Sequence, residues 1–248
     1  MGGIRAELLK YKRTMMKKLI IGIPLIFTMF SIVIRILMPE FKGTWDGILI
    51  LIFNWWPLLF LSLGMGIFSS LVAIQEKKAG NYYSWKIHSI NVKKIWFYKI
   101  TGMAIYSFYS SCTLIIAILL SGIATSKGTI PIKQILFGSF VCWISSLILI
   151  PLQLWSATWK GIFFSMGVAM AGMLVGVLAA PEKIWFLVPW SWSLRILCPI
   201  IGVNPNGTTL EPDSLLLDPS VIPIGLLLSV IGFLFTSMIT ASWFSRRK

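Results

Sequence analysis

Long apolar runs alternate along the chain with short blocks of charge. The runs at 19–38, 47–74, 100–124, 132–156, 161–180 and 221–244 each reach the ~20 residues a helix needs to cross a bilayer. The pattern therefore predicts an all-α integral membrane protein with six transmembrane helices. A further stretch, 184–203, is about long enough to cross. It contains Pro189, Arg195 and Pro199, with Trp185, Trp190 and Trp192 clustered. A seventh crossing would also carry Arg246, Arg247 and Lys248 to the side opposite the other basic blocks. It is expected instead as a re-entrant or interfacial segment on the outer side, followed by a polar outer loop at 204–220 with turn chemistry.

Before the first span, Ile4, Leu8, Tyr11 and Met15 recur at i, i+4, i+7 and i+11, the spacing of one helix face. Six basic residues lie beside or opposite that stripe, from Arg5 to Lys18. Residues 1–18 thus read as an amphipathic helix in the headgroup region. The run at 19–38 is too long for a signal-peptide core, and Met38-Pro39-Glu40 is no small-residue cleavage site, so this span is expected to be retained.

Composition agrees with a membrane protein. Of 248 residues, 57% are hydrophobic and 12% charged, and the mean hydropathy is +0.85. A soluble domain is roughly one quarter charged. No soluble ATPase is expected within these 248 residues beside six spans. Net charge is +14, which in a soluble chain would suggest nucleic acid. Here the charge follows topology. With the N-terminus, the 75–99 loop, the 157–160 turn and the C-terminus on one side, that side holds 16 of the 22 Lys and Arg and only two carboxylates, Glu7 and Glu76. The other side sums to zero. The positive-inside rule then places both termini in the cytoplasm.

Catalytic chemistry is sparse. There is one histidine, His88, and the three cysteines, Cys112, Cys142 and Cys198, form no CxxC, so a metal site is not expected. No phosphate-binding loop and no G-x-S-x-G elbow occurs, and no carboxylate lies within a span, which argues against a proton relay. The chain is not expected to be an enzyme. Gly172 and Gly176 form a GxxxG pair, read first as helix packing within the chain and second as a subunit contact. Asn54, Gln153 and the serines at 107, 110 and 111 are either interhelical hydrogen-bond partners or pathway-lining groups.

The loop at 75–99 is the long one on the basic side. Lysines alternate there with Tyr82, Tyr83, Trp85, Trp96, Phe97 and Tyr98. Aromatics without a core of their own suggest docking onto another protein, or rest on anionic lipid.

Glu76, then Gly80, then a basic segment ending at Lys99 ahead of the third span, resembles the coupling loop of ABC-2 type transporter permeases. The amphipathic start and the outer segment before the last span match that layout. At Ser89-Ile90-Asn91 the chain departs from the family's usual Pro and Arg. The Glu-Lys-Lys-x-Gly loop, the length and the Trp-rich outer regions are most similar to the E-type permease of lantibiotic immunity transporters. The resemblance implies that 75–99 holds a coupling helix that docks onto a separate ATPase dimer, with Glu76, Gly80, Tyr82, Trp85, Lys86, His88 and Lys99 marking that region. It implies ATP and magnesium on the partner ATPase and no cofactor in this chain, and a second permease subunit, identical or different. It implies a bacterial plasma-membrane location and, as substrate, a lantibiotic-like peptide expelled from the membrane. Other drugs, lipids or antibiotics remain as alternative substrates. A non-transporting membrane immunity or sensor protein remains as an alternative function.

Overall fold

A computed structural model describes residues 2–12, 14–37, 43–80 and 91–246. Tyr82, Trp85, Lys86 and His88 lie outside the described residues, as does the centre of the expected coupling helix. Among the described residues every regular element is helical, and six helices are long and apolar enough to cross a membrane.

Helix α1 (Gly2–Lys12) is followed by α2 (Met15–Leu37). Helix α3 (Trp45–Trp55) runs through a π-helical turn (Trp56–Leu61) into α4 (Ser62–Lys78), so the second crossing helix is continuous from Trp45 to Lys78. The turn has a local cause. Pro57 has no N–H to return to the preceding turn, and a one-turn π segment absorbs the fault. Helix α5 (Val92–Thr125) is the third crossing helix. Helices α6 (Ile132–Ser146) and α7 (Leu149–Lys160) form the fourth, α8 (Ile162–Ala179) the fifth and α10 (Val221–Arg246) the last. The short helix α9 (Pro189–Ile201) lies between the fifth and the last.

Several boundaries differ from those the hydropathy pattern predicts. The second and third crossing helices extend to Lys78 and back to Val92, well inside the segment expected as loop. Polar caps explain this. Gly80, at φ +106°, follows the end of α4 in the left-handed region that favours glycine, and the Asn91 side chain accepts from the Lys94 N–H to start α5. The fourth run is interrupted at 147–148, four residues ahead of Pro151, which cannot donate to the Leu147 carbonyl. Residues 1–18 do not form one helix: α1 ends at Lys12, and Met15, Lys17 and Lys18 open α2.

The 184–203 segment becomes a 3₁₀ turn (Trp185–Leu187) and α9. At 13 residues, α9 is about 20 Å long, too short to cross a bilayer core of about 30 Å. Its residues from Ser191 to Cys198 are buried. It starts on a proline and stops at Gly202, whose φ of +79° is again left-handed.

Glycines allow close helix packing. A Cβ at Gly172 would sit 2.2 Å from the Trp190 ring, and one at Gly176 would sit 2.9 Å from the Trp190 backbone carbon. The GxxxG face of α8 thus packs against α9 of the same chain. Gly66 of α4 faces Ala169 of α8 in a similar way.

The two ends of the bundle are distinct. At one end, Trp96 at the start of α5 stacks on Phe244 at the end of α10, with centroids 4.4 Å apart, and Trp155 meets Trp243. The N-terminal helix and the end of α4 lie at this same basic end. At the opposite end, buried Arg35 of α2 donates to the Thr44 carbonyl, the Ser126 hydroxyl and the Thr125 hydroxyl, tying three helix ends together.

Candidate functional site: an ion cluster at the basic end

The two carboxylates on the basic side converge. Glu7 projects from α1, Glu76 from the last turn of α4, and Lys99 from the second turn of α5. Lys99 Nζ lies 3.2 Å from both oxygens of Glu7 and also pairs with Glu76 Oε1. Lys10 Nζ donates to Glu7 Oε1 and Glu76 Oε1, each at 2.8 Å. Two carboxylates therefore share two ammonium groups, and the formal charge of the cluster is zero. Lys99 is 1% exposed, Glu7 4% and Glu76 5%, whereas the Lys10 side chain lies at the open edge, 35% exposed.

Burial alone would lower the Lys10 pKa. The hydrogen bonds and charges of Glu7 and Glu76 outweigh it and raise that pKa above the ordinary lysine value. An isolated charge buried to this degree would cost several kcal/mol, so the four groups are stable only as a set.

The packing around the cluster explains its position. Tyr11 is buried, edge-on to Phe68 of α4 and Tyr106 of α5. The Tyr106 hydroxyl donates to the Leu8 carbonyl at 3.2 Å. Gly102 of α5 lets α1 come close: a Cβ there would meet the Tyr11 ring at 3.3 Å and Glu7 Cβ at 3.6 Å. The α1 face read from sequence as a membrane-facing stripe is thus partly a protein-facing one, centred on Glu7 and Tyr11. Leu9 and, from α2, Met15 stay exposed.

Of the residues singled out from sequence, Glu76 and Lys99 are brought together here, and Gly80 lies four positions beyond Glu76. Glu7 and Lys10 were not singled out. The available signal was charge: Glu7 is the one acid within the basic first 18 residues.

The other sequence candidates lie elsewhere. Asn54, buried on α3, donates to the carbonyls of Asn204 and Pro205, both at 3.1 Å, and so holds the loop after α9. Gln153 Oε1 accepts from Ser165 at 2.8 Å, linking α7 to α8. Ser107 accepts from the Trp143 indole at 3.2 Å. Arg195 donates to the carbonyls of Leu215 and Leu216. No group of His, Cys, Asp and Glu suited to a metal ion is found among the described residues.

Comparison with family models, with curated proteins and with solved structures finds no match to this chain.

Proposed function

We propose that this chain is the membrane permease subunit of an ATP-binding cassette exporter of the ABC-2 type, giving self-immunity by expelling a lantibiotic-like peptide from the cell membrane. Both termini and the 81–90 segment are cytoplasmic in this reading, and α9 dips into the outer leaflet. ATP is bound and hydrolysed on a separate ATPase dimer, and a second permease subunit completes the transporter.

The observation that carries the reading is the Glu7–Lys10–Glu76–Lys99 cluster. It joins the two helices on either side of 81–90 to each other and to α1. A push on that loop by a partner is thereby delivered to three helices as one body, the rigid connection that an ATP-driven swing of helices needs. The basic and aromatic residues of the loop, Tyr82, Trp85, Lys86 and His88, then form the docking face.

The test is co-production with ATPase subunits of this exporter class, detergent solubilisation, affinity purification and ATP-hydrolysis assay with and without lantibiotic. Recovery of the ATPase with peptide-stimulated hydrolysis supports the whole reading. Recovery without stimulation keeps the permease and removes the peptide. A well-folded chain that recovers no ATPase overturns the proposal in favour of a shielding or sensing protein.

A further inference from the structure

A cavity of about 390 Å³ opens at the basic end between α4 and the turn joining α7 to α8. One wall is a single face of α4: Ser70, Ala73, Ile74 and Lys77 lie at i, i+3, i+4 and i+7. The opposite wall runs from Ala157 through Lys160 to Phe163. The two cations thus come from different helices and stand on facing walls, with no carboxylate among the lining residues.

The rim has the character of a membrane interface. Trp159 and Phe163 are exposed, Phe163 at 91%. Lys160 Nζ rests 4.6 Å from the Trp159 ring centroid and 5.1 Å from that of Phe164. These contacts hold the ammonium at the mouth without neutralising it. Apolar Ala73, Ile74 and Ile162 line the cavity together with the buried hydroxyl residues Ser70 and Thr158. A ligand with an anionic head and an apolar body fits this mixed lining, and two lysines with no ion-pair partner among the described residues select the anion.

We propose that this cavity binds a phosphate group between Lys77 and Lys160. Its source is the headgroup of an anionic phospholipid or a soluble phosphate. The site is separate from the ion cluster and does not depend on the transporter reading.

Native mass spectrometry of the delipidated chain, titrated with phosphatidylglycerol, with phosphatidylcholine and with inorganic phosphate, tests it. The comparison variants are Lys77→Ala/Lys160→Ala and Lys93→Ala/Lys94→Ala, the second removing equal charge from the exposed start of α5. The expected result is preferential retention of phosphatidylglycerol, weakened about tenfold or more in the first variant and little changed in the second. Retention of inorganic phosphate with the same dependence on Lys77 and Lys160 supports the site and assigns the soluble source. Equal losses in both variants, or no retention of either phosphate source, overturns it.

Discussion

Lys99 and Glu76 pair across the mouth of the segment that separates α4 from α5, inside a protein interior from which Lys99 is almost wholly hidden. Each charge depends on the others, because Glu7 and Lys10 complete the set. The arrangement fixes how far apart the two helices stand where 81–90 begins and ends.

Removing one charge from the cluster is expected to be worse than removing two. Lys99→Met leaves a net negative cluster and Glu76→Gln a net positive one; each is expected to cost about 3–5 kcal/mol. The double variant leaves Glu7 and Lys10 balanced and is expected to cost clearly less than the sum. Thermal unfolding of the four proteins in one detergent measures this coupling. Additive losses would show that the four groups do not act as a set.

The contribution of Lys10 has a defined pH range. Its folded pKa is raised, so its stabilisation is fully present below the unfolded value of about 10.4 and is lost as pH rises through the higher folded value. The melting temperature of the wild type minus that of Lys10→Met is expected to stay level from pH 7 to about 10 and to shrink above that. A difference that declines between pH 6 and 8 would assign the effect to another group.

The α8–α9 contact separates two glycines by what their missing Cβ would strike. Gly172→Ala meets only the Trp190 ring, and Gly176→Ala meets Trp190 backbone as well. Each is expected to destabilise by about 1–3 kcal/mol. Trp190→Ala is expected to relieve the Gly172→Ala clash and not that of Gly176→Ala. Double-variant melting curves report both.

The number of crossing helices and their order are legible in the sequence, because a bilayer demands long apolar runs and charge marks the exposed ends. The helix ends are not. Hydropathy falls at Gln75 and stays low to Lys99, yet α4 continues to Lys78 and α5 begins at Val92, since a helix stops at caps such as Gly80 and Asn91 and not where polarity begins. Glu76 and Lys99 were visible as a spaced pair. Glu7 and Lys10 were not, because their partners on other helices, Lys99 and Glu76, are 92 and 66 positions away and a helical stripe of apolar residues disguised a buried acid. The division of the fourth run at 147–148 was likewise hidden, although Pro151 supplies the cause.

At the opposite end, Asn54 secures the loop after α9 through two carbonyls. Asn54→Leu keeps the volume and removes both donors, an expected loss of about 1–3 kcal/mol. Hydrogen exchange is expected to quicken at 204–208, where Asn204 and Gly207 form a turn, and to stay unchanged near Lys99. Unchanged exchange at 204–208 would show that the loop holds itself.

The measurement closest to the central claim is photo-cross-linking from within the expected docking face. A photoreactive amino acid replaces Trp85 in one protein and Thr209 in another, each co-produced with an ATP-binding cassette ATPase subunit and irradiated in cells. A cross-link to the ATPase is expected from position 85 and none from 209, with the yield from 85 reduced when Lys99→Met breaks the cluster. An ATPase that cross-links equally from both positions, or from neither, would contradict it.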